Sequence, residues 1–418
     1  MRHFSHLVPL VLLAAVVPAT AASAAGSVPG RPETSIGHDA SWRQDGGDAG
    51  RSGHQRVVRD LDAAAAPRLE QLWTAPATRP DEQVGGAVVV DGTLLRASGG
   101  PTGQIRRYDA VTGHDLGVLV EEPGRRFGQL AAVDDVVLVE SGGTGAAGRH
   151  LSGYRMDGRQ RWDVVLPDAV TGGYTVGDGL IVRSSGAVLS AYRMTDGGVA
   201  WTAPLDGEPG FHPPVVQDGL VLQATEGKGA AALLAFDERT GARAWKRPVG
   251  GPEIIAAGGY VHTVGADAVC SYDVADGRQR WCDTTALTRP LHATVSDSML
   301  FVIDGAGRLA AFGVGDGAVL WRSTYGLGWE TDTSYWSPVN GGGVLYAVAY
   351  HFGIVAGEAT HRIELIAADA ATGALLTRLE LDFDSLQGAE PLLLSGDHVY
   401  FAAPQRLFAF GVPAGYGR

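Results

Sequence analysis

Residues 235–245 read AFDERTGARAW, and the same phrase recurs as RYDAVTGHDLG from Arg107, AYRMTDGGVAW from Ala191, SYDVADGRQRW from Ser271, AFGVGDGAVLW from Ala311 and AADAATGALLT from Ala367. A further copy, GYRMDGRQRW at 153–162, is one residue short. Each copy follows alternating apolar residues around a tight turn, as in VVVDGTLLRAS, VVQDGLVLQAT and VSDSMLFVID, where Asp or Gly supplies the positive φ that a two-residue turn needs. The repeating unit is therefore four short strands. A unit of about 40 residues cannot bury its own apolar face, so neighbouring units must stack, and four-stranded units of this length stack radially into a β-propeller.

The first hairpin turns fall near Asp91, Asp134, Asp178, Asp218, Gly258, Asp297, Gly342 and Asp397, 39 to 55 residues apart. The expected fold is all-β: an eight-bladed propeller of four-stranded antiparallel blades. The last unit, 391–412, has only three strands. RLEQLWTAP at 68–76 has the aromatic ending of a fourth strand without three strands before it, so Leu69 to Thr74 is expected to complete the C-terminal blade and close the ring. Trp73, Trp162, Trp201, Trp245, Trp281 and Trp321 occupy one position per blade, just after the second turn, and read as a structural girdle between blades. Gly117 and Thr377 stand where Trp is expected, which predicts two looser junctions.

The alanine, aspartate, threonine-glycine and tryptophan pattern of AFDERTGARAW resembles the repeat of the quinoprotein (pyrroloquinoline quinone, PQQ) β-propeller superfamily. The other copies match in part, with Asp-Gly often replacing Thr-Gly, and the resemblance covers about Trp73 to Phe410. It implies the fold more than any chemistry, because the superfamily holds both dehydrogenases and non-catalytic scaffolds such as the lipoprotein subunit of the outer-membrane-protein assembly machine. Its PQQ-dependent alcohol dehydrogenases hold the quinone against an adjacent cysteine pair and bind Ca²⁺ through carboxylate and amide side chains. Here Cys270 and Cys282 are twelve residues apart, Asn340 is the only asparagine, and no long insertions are present. No cofactor is expected, and PQQ with Ca²⁺ stands as the alternative.

Residues 1–25 combine a basic start, an apolar run from Leu7 to Val17 and small residues ending in Ala22-Ser23-Ala24, which reads as a cleavable signal peptide and an exported, extracytoplasmic product. Residues 26–66 read as an arm or linker that Trp42 pins to the propeller wall, and 67–418 as the propeller. Net charge is −13 with scattered basic residues, which argues against a nucleic-acid partner. No other stretch is long and apolar enough for a transmembrane helix, and a monomer is expected. A turn centred on 275–277 sets Tyr272 against Arg280 and Cys270 directly against Cys282, a placement that predicts a disulfide.

Links between blades and the middle hairpin of each blade share one face. In the seventh repeat both are extended: TYGLGWETDTSYW at 324–336 and YHFGIVAGEATH at 350–361. Together they offer Trp329, Glu330, Asp332, Tyr335, Trp336, His351, Phe352 and His361 as a rim patch for a protein, small-molecule or glycan ligand. Glu330 and Asp332 lack the full ligand loop of a Ca²⁺ site, so no metal is assigned. Arg125, Arg126, Phe211, His212, Arg289, His292 and Glu390 fall on smaller links of the same face. With no G-x-S-x-G, no H-E-x-x-H and no convergent Ser, His and Asp set, the expected function is binding or scaffolding without catalysis. The alternatives are a PQQ-dependent dehydrogenase and a carbohydrate-binding or carbohydrate-active propeller.

Overall fold

The computed structural model describes residues 40–76, 83–143, 148–167, 173–226, 231–249, 251, 253–265, 268–284, 287, 290–304, 308–328, 330, 332–382, 391–403 and 406–413. The signal-peptide reading at 1–25 and the start of the arm lie outside these residues. Apart from one 3₁₀ turn at Ala66–Arg68, every described element is a strand. None of the described helices is long and apolar enough to cross a membrane.

Four-stranded antiparallel meanders succeed one another at 174–204, 215–248, 253–283 and 290–323. The two before them, 83–123 and 125–166, form one eight-stranded sheet through a bridge between Gly99 and Arg126. At 332–380 the meander gains His54–Gln55 as a parallel inner strand beside Asn340 and Gly341. The three C-terminal strands are joined by Glu70–Pro76, which pairs antiparallel with Arg406–Gly411. The edge that Arg406–Gly411 would otherwise leave unpaired is thus covered by a strand from the N-terminal part of the described chain.

The repeated phrase forms the turn between the third and fourth strands of its meander, one turn later than the second turn expected, together with the junction to the previous one. In the Thr-Gly copies an aspartate caps the turn: Asp237 Oδ1 accepts from the Thr240 amide at 2.9 Å and its hydroxyl at 2.7 Å, and Asp109 and Asp369 bind Thr112 and Thr372 likewise. In the Asp-Gly copies Asp196, Asp276 and Asp316 accept instead from the amides of Gly198, Arg278 and Ala318. Both chemistries end on a left-handed glycine, and the tryptophan ring of the preceding meander lies against it. A Cβ on Gly241, at φ +70°, would sit 2.6 Å from the Trp201 ring.

Each girdle indole also donates across the junction. Trp201 Nε1 reaches Glu238 O at 2.8 Å, Trp245 reaches Val274 O at 2.9 Å, and Trp73, Trp162, Trp281 and Trp321 reach Ala110, Met194, Val314 and Ala370. The residue before each of these tryptophans is bulged out of the ladder, as between Ala235 and Phe236 opposite Trp245 and Arg243. This bulge corrects one expectation. Tyr272 faces Gln279, not Arg280, because Arg280 is the extra residue; beyond it the register recovers, so Cys270 does face Cys282. Their Cα atoms are 4.1 Å apart and the disulfide is present.

At the two junctions without tryptophan, Gly117 has no heavy atom within 4 Å of its Cβ position. Strand Leu375–Glu380, which carries Thr377, is covered by the end of the arm: Leu61, Ala65, Ala66 and Leu69 are buried in a cluster against which Leu376 and Leu379 pack.

The rest of the arm does not lie on the wall. Trp42 is 2% exposed and forms an antiparallel bridge with Val89 on the innermost strand of the first meander. From there the chain visits the inner strands in order. Ala132 N–H donates to Arg43 O, Val176 N–H to Gln44 Oε1, Val216 N–H to Ala49 O, Ala256 N–H to Gly50 O, Val295 N–H to Ser52 O and Asn340 N–H to Gly53 O, all at 2.7–2.8 Å. Ala40 O accepts from Gly396 N–H and the Ser395 hydroxyl on the last sheet. The approach is close enough that a Cβ on Gly50 would fall 2.1 Å from Ala256 O. These inner-strand amides point away from their own hairpins and would otherwise lack partners, so the arm satisfies donors that the meanders cannot satisfy themselves.

Candidate functional site

The long hairpin of the 332–380 sheet, Val344–Val355 with Glu358–Asp369, turns at Ala356 and Gly357, whose φ values of 54° and 88° suit a tight turn. Successive residues alternate faces, and they part company accordingly. On one face Tyr350 stacks on His361 with ring centroids 6.1 Å apart, beside Phe352 and Ile354, which are 38% and 64% exposed. Phe352 and His361 are directly opposed in the ladder.

On the other face His351 is fully buried. Its Nδ1 is 3.2 Å from the Thr333 hydroxyl and its Nε2 3.4 Å from Glu364, which also meets Arg362 at 2.9 Å and Arg378 at 3.3 Å. Burial pushes the Glu364 carboxyl up, but the bond from His351 and the two guanidinium charges outweigh it and hold the acid below its ordinary value. His351 therefore belongs to a buried ionic network and presents nothing to the rim. Tyr335 is buried too: its hydroxyl accepts from Tyr325 N–H at 2.9 Å, the rings meet edge to face at 6.3 Å, and burial raises its phenol. Glu330 folds back to accept from Leu327 N–H at 2.6 Å. Trp329 lies outside the described residues, as do the side chains of Asp332 and Trp336, whose backbones belong to strand Asp332–Gly341. Of the expected rim set, Phe352 and His361 reach solvent, joined by Ile354 and by Val355 at 45% exposure, neither of which the sequence singled out.

A second site was largely missed. The arm segment is the floor of two adjoining cavities of about 250 and 280 Å³ that share Trp42, Asp45, Pro213, Pro391 and Leu392. The walls are unlike. One sector carries Gly85, Gly86, Gly128 and Leu393; the other carries His212, Glu253 and His292, above Arg51 from the arm. Arg51 pairs with Asp45 at 3.0 Å, His212 Nε2 is 3.5 Å from Glu226, and His292 Nδ1 is 3.7 Å from Glu253. Burial lowers both imidazoles; Arg51 reinforces this at His212, and His212 does so at His292. Glu253 is pushed up to about 7 by burial, with Asp45 adding and Arg51 and the Ala293 amide opposing. Only 27% of its side chain is accessible, and that part faces the cavity. Perturbed acids and histidines in one cleft mark a functional candidate. His212 and His292 were legible as residues of one face, but nothing local signalled Asp45, Arg51 or Glu253.

Of the residue types that the resemblance attaches to quinone binding, the cysteine pair and Asn340 lie in different sheets. Cys270 and Cys282 bridge the two outermost strands of the 253–283 sheet. Asn340 is 2% exposed, and its amide donates to Thr294 at 2.7 Å while its carbonyl oxygen meets His54 of the arm. Among the described residues no three His, Cys, Asp or Glu side chains are grouped to hold a metal ion.

Among solved structures, the chain is similar to BamB from Moraxella catarrhalis, with 15% identity over 82% of this chain and 99% of that one and a TM-score of 0.60. It is similar also to the quinohemoprotein alcohol dehydrogenase ADHIIG from Pseudomonas putida HK5, with 11% identity, 91% and 82% coverage and a TM-score of 0.66. The quinohemoprotein alcohol dehydrogenase from Comamonas testosteroni gives 13%, 92% and 82%, and 0.63. At such identities the likeness is one of fold, the PQQ-type β-propeller. No curated protein matches the chain. The model of the family described as outer membrane protein assembly factor BamB matches residues 150–254, 233–347 and 306–412, and the chain belongs to that family of PQQ-repeat propellers.

Proposed function

We propose that this chain is an exported propeller of eight blades, closed by the 70–76 strand, that works by binding a protein partner at the rim of its seventh blade and carries out no catalytic step. The observation that carries this reading is the long hairpin at 344–369. It has Phe352, Ile354 and Val355 exposed at its end, while the neighbouring polar residues are tied into the buried Glu364 network. A rigid base under an apolar tip is what a recognition surface needs. The name of the matching family, an assembly factor, supports a protein as the partner. Export is supported by the disulfide, which persists in oxidising compartments, and by the leader-like residues 1–25.

The test combines rim variants with a cofactor titration. Trp329→Ala, Trp336→Ala and the double change Phe352→Ser, Ile354→Ser are each expected to weaken binding to the co-purifying partner by more than about 1 kcal/mol, with an unchanged melting temperature. Stoichiometric binding of PQQ with Ca²⁺, together with reduction of an artificial electron acceptor by alcohols or sugars, would overturn the reading.

A further inference from the structure

The charges around the channel cavity do not balance. Asp45 is answered by Arg51 at 3.0 Å. Glu253 shares the Arg51 charge with Asp45 and otherwise has His292 at 3.7 Å, while Glu226 has His212 at 3.5 Å, and burial holds both imidazoles below their ordinary value. Burial outweighs the Arg51 charge and the Ala293 amide and pushes the Glu253 carboxyl up to about 7. Among the described lining residues two acids, Asp45 and Glu253, face one guanidinium, that of Arg51.

The shape narrows the class. The acids are not grouped for a metal ion among the described residues, whereas the opposite wall is glycine, proline and leucine and the floor holds Trp42. Phe211 and Leu291, the residues before His212 and His292, are 48% and 41% exposed. The arm closes the end of the channel near the first hairpin turns, because it bonds residues such as Val89, Val216 and Val295 two positions before those turns. A ligand therefore enters from the side of the links that carry His212 and His292. We propose that this pocket is a binding site for a small organic cation, an ammonium group carried on an apolar body. The ammonium donates to Glu253 and to the unprotonated imidazoles, and the body lies on the glycine and leucine wall.

This site is distinct from the seventh-blade rim, and the two can fail separately. Calorimetric titration of the mature chain with phenethylamine, phenylethanol and phenylacetate, three probes of similar shape and different charge, tests it. One-to-one binding of phenethylamine is expected, with the alcohol and the anion weaker by about tenfold or more, the scale of one hydrogen bond to a charged group. Asp45 and Arg51 act on Glu253 in opposite directions, His212 and His292 gain positive charge only as pH falls, and Glu253 loses its proton as pH rises, so the amine should bind more tightly at about pH 8 than at about pH 6, releasing a proton from Glu253. Glu253→Gln should remove that pH dependence and weaken the amine about tenfold, while Ile354→Ser leaves both unchanged. If the Gln variant does not fold, the pH series on the unaltered chain decides. Tighter binding of phenylacetate than of phenethylamine, an affinity that rises toward acid pH, or no saturable amine binding would each overturn the proposal.

Discussion

The girdle and the 344–369 hairpin are both rich in aromatics, yet they have opposite fates. Trp245 is 8% exposed, its indole donates to Val274 O, and its ring rests on Gly277 of the next blade. Phe352 and Ile354, on a long hairpin of the 332–380 sheet, stay 38% and 64% exposed. An aromatic in phase with the repeat meets a partner that the repeat itself supplies, whereas one on an extension is covered only if its own sheet provides the cover. Tyr335 and His351 are buried by such cover, whereas Phe352 keeps 38% of its surface exposed.

The most severe way to break the comparison is to remove the strand that completes the last sheet. Deleting residues through Trp73 takes away the arm, its hydrogen bonds to the inner strands and the partner of Arg406–Gly411, and should leave a chain that aggregates. Deleting 26–38 should be tolerated. A stable monomer beginning at residue 80, seen by light scattering and thermal melting, would contradict this.

A girdle substitution should cost less than that, but far more than a rim one. Trp245→Ala is expected to lose about 3–5 kcal/mol of stability in denaturant unfolding, as large core deletions do, while Ile354→Ser stays within about 0.5 kcal/mol. Equal losses would remove the distinction between the two regions.

The disulfide lies on outer strands and closes a loop of 12 residues. Its reduction should cost at most about 3 kcal/mol and leave the ring folded, because the hairpin register is held independently by ladder hydrogen bonds. Free thiols in unreduced peptides by mass spectrometry would disprove the bond.

The smallest effect sits beside the girdle. His262 is fully buried between Tyr260 and Trp281, neither ring nitrogen has a hydrogen bond, and burial lowers its imidazole to about 3. The unfolded chain takes up this proton near pH 6.5 and the folded chain only near 3, so stability falls as pH drops through that window. His262→Leu should make the acid limb shallower, by about 1–2 kcal/mol at pH 5. An unchanged slope in melts between pH 7 and 4 would show that His262 is not held neutral.

How much was legible follows from where the information lies. The Asp-x-x-Thr-Gly and Asp-Gly phrases announced their own capped turns, the tryptophans announced the junctions, and counting from the turn paired Cys270 with Cys282. The one-residue slip at Tyr272 came from the bulge before Trp281, a departure from period two that no residue type marks. At the rim, alternation assigns His351 and Phe352 to opposite faces but does not say which face is covered, since in a blade packed on both sides either face can be core.

By itself the sequence determined the strands, the turns, the tryptophan junctions and the disulfide register, because each depends on residues within one repeat or on a contact that the repeat copies from blade to blade. Only the tertiary structure decided that residues 40–55 line the inner strands and that Asp45, Arg51, His212, Glu253 and His292 meet in one cavity. Those contacts are made once, between segments up to about 355 residues apart in the chain. They exist because the strands of successive sheets bring their inner edges to a common place, and a single Gly-rich segment supplies the hydrogen-bond partners those edges lack.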